Sequence, residues 1–201
     1  MSFLRASFAS DPPALIRGEG VNLRMPQISD YGPWAEMRQK SRAHLVPWEP
    51  MWTSDELSRS TFRLRVRIAV RESRDDLGYA FLLFRAVDGE LIGGLTLSHV
   101  RRGVSQSASL GYWMGLPFVR NGYMRAGVAA ALGYAFESLR LHRVEAACLP
   151  ANTGSIRVLE SNGFVREGFA ERYLRINGVW RDHLLYARLG DDQAAAPRST
   201  R

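Results

Sequence analysis

Asn121-Gly122-Tyr123-Met124-Arg125 stands between a strand pattern and a helix pattern, and its reading decides the fold. Upstream, Ser107-Ala108-Ser109-Leu110-Gly111-Tyr112-Trp113-Met114 reads as a strand ending at Gly115 and Pro117. Downstream, Val128, Ala131, Leu132, Ala135, Phe136 and Leu139 recur at helical spacing. A glycine turn that opens a helix points several free backbone N–H groups one way, and the positive end of the helix dipole adds to them. Arg120 and Arg125 flank the turn with full charges. Two readings stand on these residues: a cradle for a pyrophosphate, or a glycine that only turns the chain.

The 201 residues, 46% of them hydrophobic, can bury one substantial core, so a single domain is expected. Residues 1–18 and the tail 190–201 are polar or rich in proline and alanine, and read as loose termini around a domain at 19–189. No apolar run approaches the ~20 residues of a membrane span. Met1-Ser2-Phe3-Leu4-Arg5 has no apolar stretch of a signal peptide behind it. One cysteine, Cys148, precludes an internal disulfide and fits a cytoplasmic protein. No Cys/His grouping has metal-ligand spacing, so no metal is expected. The net charge of +7 favours anionic partners: cofactor phosphates, an acidic peptide, RNA or a membrane surface. It does not choose among them.

Elsewhere the chain alternates strands and helices. Val21–Met25 is a strand, Ser29-Asp30 caps a helix to about Arg42, and Thr53-Ser54-Asp55-Glu56 starts a second helix to about Glu72. Strands at about 78–86 and 90–100 meet at Asp88-Gly89, a two-residue hairpin signal. A helix at 125–139, a strand at 143–149 and a helix from Asn152 to Asn162-Gly163 follow. A last hairpin, Phe169–Ile176 with Val179–Leu189, turns at Asn177-Gly178. Its register sets Tyr173 opposite Asp182 and Arg175 opposite Trp180.

Gly111-Tyr112-Trp113-Met114, Asn121-Gly122-Tyr123-Met124, His142-Arg143-Val144-Glu145-Ala146, Pro150-Ala151-Asn152-Thr153-Gly154-Ser155, Ser161-Asn162-Gly163-Phe164 and Trp180-Arg181-Asp182-His183 occur in that order. With them the chain resembles the GNAT superfamily of acyl-CoA-dependent N-acetyltransferases, over about residues 20–189. Within it the resemblance is to the RimJ/RimL type, the ribosomal-protein-alanine N-acetyltransferases. It implies an α/β (α+β) fold: a mixed, mostly antiparallel sheet of about seven strands, flanked by about four helices. A central parallel V between strands 107–115 and 143–149 would hold acetyl-CoA. The family pattern asks for Gln or Arg where this chain has Val119, and for a small residue at Met124. Many relatives carry Thr-Glu-Ala where this chain has Arg125-Ala126-Gly127. Losing an acid and gaining an arginine strengthens the pull on pyrophosphate.

The resemblance assigns cofactor contacts to Arg120, Asn121, Gly122, Tyr123, Met124 and Arg125, and to the backbone of Trp113 and Met114. Asn152 is either a helix cap or a donor to pantetheine, and the two are compatible. Ser155 is expected to hand a proton to the departing sulfur, against the alternative of capping. Ala147 and Leu159 stand where some relatives place a glutamate base and a tyrosine acid. That fits an α-amine acceptor, about a tenth neutral at pH 7, better than a lysine. Asp182 is the first choice for a carboxylate in the acceptor cleft, with Glu171 and Glu49 as rivals and a plain hairpin salt bridge as the alternative. Trp48 and Glu49 border the acceptor entrance in this resemblance, or simply close an edge of the core. Tyr173 packs against the acceptor or is an ordinary hairpin tyrosine.

The function expected is acetyl transfer from acetyl-CoA to the N-terminal α-amine of a protein or peptide, ribosomal in this branch, by a monomer or homodimer. A small-molecule amine as acceptor, and a non-catalytic acyl-CoA-binding or RNA-associated module, are the alternatives. The second is motivated by the missing base and by the arginines between 59 and 74.

Overall fold

Tyr79, Phe81 and Leu83 alternate along one strand and are buried, and their hairpin partners Leu97 and Leu95 face the same way. This pair forms the middle of the sheet in a computed structural model, which describes residues 15–190. The strands are β1 (Ile16–Gly18), β2 (Val21–Arg24), β3 (Tyr79–Arg85) and β4 (Leu91–Arg101), then β5 (Ser107–Met114), β6 (Arg143–Cys148), β7 (Val165–Ile176) and β8 (Val179–Leu189). They lie in the order β1-β2-β3-β4-β5-β6-β8-β7, and only β5 and β6 run parallel. The sheet has eight strands rather than about seven, because Ile16–Gly18 pairs with β2 inside the segment expected to be loose.

The helices are α1 (Tyr31–Lys40), α2 (Arg42–Leu45), α3 (Arg59–Arg74), α4 (Tyr123–Gly133) and α5 (Thr153–Ser161), one more than expected. Four alanines among its eleven residues favour α4 as a helix, and it continues into a widened turn at Tyr134–Ser138. α4 packs on the Leu83 and Leu95 side of the sheet, and Tyr134 meets Tyr79 and Phe81 edge-on there. α1 and α3 cover the opposite side, the one that carries Gly94 and Thr96.

Four local expectations give way to packing. Asp30 is buried and gives the first helix no side-chain cap; it takes both Arg24 Nη groups at 2.7 and 2.6 Å and the Gln27 N–H at 2.7 Å, and the first helix ends at Lys40. The second helix begins at Arg59 instead of near Thr53. Ser58 Oγ caps it by accepting from Thr61 N–H, while Glu56 is drawn to arginines. The turn at Asp88-Gly89 is a five-residue loop, 86–90, closed by Gly89 N–H on Arg85 O at 2.8 Å. In the last hairpin Arg175 does face Trp180, but Ala170 pairs with His183 and Leu174 with Arg181, so three residues of β7 oppose the single Asp182. This bulge removes the expected Tyr173–Asp182 pair.

Phe62 on α3 is buried between Trp34 and Tyr31, with ring centroids at 4.7 and 5.9 Å. Phe62→Ala should cost about 3–5 kcal/mol in urea denaturation. A loss below about 1 kcal/mol would show that α3 is not anchored this way.

Candidate active site

β5 and β6 pair only at Ser107, Ala108 and Ser109, against Arg143, Val144 and Glu145. Beyond that point each strand stays with its outer neighbour, β5 with β4 as far as Met114 and β6 with β8 as far as Cys148. A wedge therefore opens between Leu110–Met114 and Ala146–Cys148. Backbone N–H and C=O groups along its inner edges have no strand partner across the gap.

The chain leaves β5 and reaches α4 through Val119–Gly122. Gly122 has φ 80°, the left-handed conformation that suits glycine, and it precedes the first helical residue. The earliest N–H to find a helical partner here is that of Ala126, on Gly122 O at 3.0 Å. The N–H groups of Tyr123, Met124 and Arg125 are thus the open donors of the helix start. Arg120 and Arg125 are exposed beside them. Arg125 lies 3.7 Å from Glu19, and a hollow of about 390 Å³ between Arg17, Arg125 and Asn162 adjoins it. The side chain of Met124 points away into the core beside Gly93.

Tyr112 of β5 reaches Ser155 of α5, with the two hydroxyl oxygens 2.7 Å apart. Asn152 caps α5, its Oδ1 accepting from Ser155 N–H at 3.0 Å, so Ser155 Oγ is not needed as the cap. Burial pushes the Tyr112 phenol well above its ordinary range, which keeps the proton on it at neutral pH. The buried Cys148 thiol is likewise pushed up by desolvation, so it is not a thiolate nucleophile at neutral pH.

On the α1 and α3 side of the sheet a cavity of about 360 Å³ reaches Tyr112. Trp34, Trp52 and Trp113 wall it, with the Arg38 guanidinium 5.9, 4.6 and 5.0 Å from their rings. Gly94 makes room for the Trp113 indole, since a Cβ there would lie 2.6 Å from its Nε1. Arg38 is 6% exposed and grips Glu49 with both Nη groups, at 2.9 and 2.7 Å. Trp52 Nε1–H donates to the same carboxylate at 2.8 Å. Glu56 joins Arg38, at 3.8 Å, to Arg65. Two acids and two arginines thus close on one another. Asn177 N–H, at the tip of the last hairpin, donates to Glu49 O at 2.8 Å and ties the hairpin to the loop at 46–58.

The family model described as the acetyltransferase (GNAT) domain matches residues 21–165. The chain belongs to the GNAT acetyltransferases. It is 33% identical over 178 residues to the "Probable N-acetyltransferase YjcK" of Bacillus subtilis (strain 168), covering 89% of this chain and 98% of that one. It is 32% identical over 162 residues to the ribosomal protein uS5-alanine N-acetyltransferase of Escherichia coli (strain K12), covering 80% and 84%. The structure of Mycobacterium smegmatis RimJ in complex with CoA-disulfide superposes with TM-score 0.82 at 33% identity, covering 90% of this chain and 88% of that one.

The protein is thus an acyltransferase, and acetyl-CoA is its acyl donor. The GNAT donor fits what this chain leaves unmet: an amide-lined wedge, and free N–H groups with two arginines at the start of α4. Arg120, Asn121, Gly122, Tyr123 and Arg125 all lie at that turn, and Met124 belongs to it through its N–H alone. Among residues expected on the acceptor side, Glu49 lines the cavity; Trp48, Asp182 and Tyr173 do not. Trp52, four residues after Trp48, takes the wall position. Asp182 is exposed and accepts from Arg172 N–H at 2.8 Å inside the bulge, where Arg172 has φ 47°. Tyr173 lies edge-on to the buried His183, with ring centroids 5.9 Å apart.

Sequence reasoning gave no site role to Arg38, Trp34, Trp52 or Glu56, and placed Arg65 only among the arginines between 59 and 74. It also quoted Tyr112 without assigning it a role. Leu159, where a tyrosine acid stands in some relatives, is in the core, while a phenol reaches Ser155 from β5 instead.

Removing Glu49 strands a buried guanidinium. Glu49→Ala should cost about 3–5 kcal/mol by chemical denaturation and loosen the loop at 46–58. A loss under 1 kcal/mol would mean that Arg38 finds water there.

Proposed function

We propose that the chain transfers the acetyl group of acetyl-CoA to the N-terminal α-amine of a protein, in the manner of the ribosomal-protein acetyltransferases it resembles. The observation that carries this reading is the arrangement of the acceptor cavity. It reaches Tyr112 at the wedge, and both of its carboxylates are already committed to arginines. Among the described residues no free carboxylate lines it to strip a proton from a lysine. An α-amine, with a pKa of about 7.7–8.0, is in part neutral already and needs only water to carry its proton away.

Acetyl-CoA supplies the activated thioester. The start of α4, with Arg120 and Arg125, would hold its phosphates, and the hollow beside Arg17 and Arg125 suits the rest of the nucleotide end. The backbone of Trp113 and Met114 and the side-chain amide of Asn152 would border the pantetheine. Free amides in the wedge are suited to receive the carbonyl oxygen. The amine nitrogen bonds to the carbonyl carbon as the carbon–sulfur bond breaks. Ser155 Oγ–H gives its proton to the sulfur; Tyr112, held protonated by burial, keeps that hydroxyl in place, and the proton that the amine releases to water returns to Ser155. Glu49 acts through the wall it builds with Arg38 and Trp52. Asp182 acts through the bulge that sets the hairpin over the entrance, and Tyr173 stands on that hairpin.

Ser155→Ala should lower kcat about 100-fold and Tyr112→Phe about tenfold, with the Kd for CoA unchanged in both. An unaltered kcat in Ser155→Ala would remove this proton path. Because burial raises the Tyr112 pKa, the rate should climb through pH 7–8 as the amine deprotonates, with no loss before about pH 10, the ordinary phenol value. Gly122→Val should raise the KM for acetyl-CoA at least tenfold, since a β-branched residue is strained at φ 80°.

The cavity volume, near the lower end for small-ligand pockets, favours as a second reading a small-molecule amine. Mass spectrometry of a cell extract incubated with the protein and labelled acetyl-CoA separates the two. Label on protein N-termini supports the first reading, and label confined to small amines overturns it.

A further inference from the structure

α3 carries Arg59, Arg63, Arg67, Arg71 and Arg74 at intervals of four, four, four and three residues. Such spacing keeps them along one side of a helix. Arg59 stacks on Tyr31, its guanidinium 4.5 Å from the ring centroid. The other four are exposed, and their side chains have no ion pair or hydrogen bond among the described residues. The helix has one acid, Glu72, half-buried with its carboxylate turned toward Gly78 and away from the stripe. Like charges at this spacing repel one another, so nothing within the helix rewards the pattern. α3 holds its place through Phe62, Val66 and Ala69 on its buried side.

At 1.5 Å per residue the guanidinium groups step by about 6 Å along a straight rod about 16 Å long. Each is a fork that can bond two oxygens of one phosphate. The stripe lines neither of the two hollows at the active site. A row of like charges at a regular step matches a regular polyanion read through its backbone. Arg65, which walls the acceptor cavity, stands on the same helix but roughly 160° around its axis from the stripe, so α3 presents one side to the cavity and the stripe to its outer side.

We propose that Arg63, Arg67, Arg71 and Arg74 bind the phosphate backbone of RNA, and so dock an RNA-containing particle on the outer side of α3, the helix whose other side walls the acceptor cavity. The RNA surface stands apart from the acyl-transfer reading; its use in delivering an acceptor rests on that reading.

The test is binding of the full chain, without acetyl-CoA, to a fluorescently labelled RNA hairpin between 50 and 200 mM salt. Four phosphate contacts predict a log–log slope of about −3, a loss of roughly 50- to 150-fold across that range. The variant R63Q/R67Q/R71Q/R74Q should bind at least tenfold more weakly with a slope near zero. Its melting temperature and its turnover of a short peptide should match the parent. Three results would overturn the proposal: no binding by the parent at 50 mM salt, equal affinity and slope in the variant, or displacement of the RNA by polyglutamate at equal charge. The last would assign the stripe to an acidic protein. Absence of peptide turnover by the parent, with RNA binding intact, would instead count against the protein-acceptor reading alone.

Discussion

The parting of β5 from β6 after Ser109 and Glu145 is the constraint on which the rest depends. A sheet ordinarily gives each backbone amide a partner on the neighbouring strand, and unmet groups away from water are costly. Here each strand keeps its outer neighbour to its end, so the opening gives up bonds on one edge only. The gap is spanned from the two sides by Tyr112 and Ser155. Those unmet amides become the donors and acceptors that an extended acyl carrier can use.

The two sides of the sheet divide the work. On one, α4 brings its positive end and two arginines to the wedge. On the other, α1, α3 and the loop at 46–58 enclose a chamber walled by tryptophans. The chamber holds its charge in a closed set, Arg38 and Arg65 against Glu49 and Glu56, so burial of the Arg38 guanidinium is offset by a bidentate carboxylate and by indole faces. Electrostatic closure leaves the chamber, among the described residues, without a free carboxylate. The hairpin tip contacts the same loop through Asn177, so its bulge and the chamber wall are mechanically joined.

Much of this was legible from local chemistry. The glycine turn, the cap at Asn152 and the Asn177-Gly178 hairpin rest on residues whose backbone preferences act within a few positions. Helix starts were less legible where a polar side chain had a stronger distant partner. Asp30 serves Arg24 and the Gln27 N–H, and Glu56 serves Arg38 and Arg65, so neither side chain caps α1 or α3. Trp48 looked like the wall residue because the loop around it is rich in proline and aromatics, yet the indole that meets Arg38 is Trp52.

By itself the sequence determined the alternation of elements, the glycine turn before α4 and the presence of Ser155 just inside a helix. Period, turn chemistry and capping are properties of neighbouring residues. Tertiary structure alone decided that Tyr112 meets Ser155, that Arg38 sits among three indoles, and that Asp182 spends its carboxylate on a bulge. Those pairings join residues up to 75 positions apart, as when Leu116 N–H meets Ser41 Oγ, and only the folded sheet sets such distances.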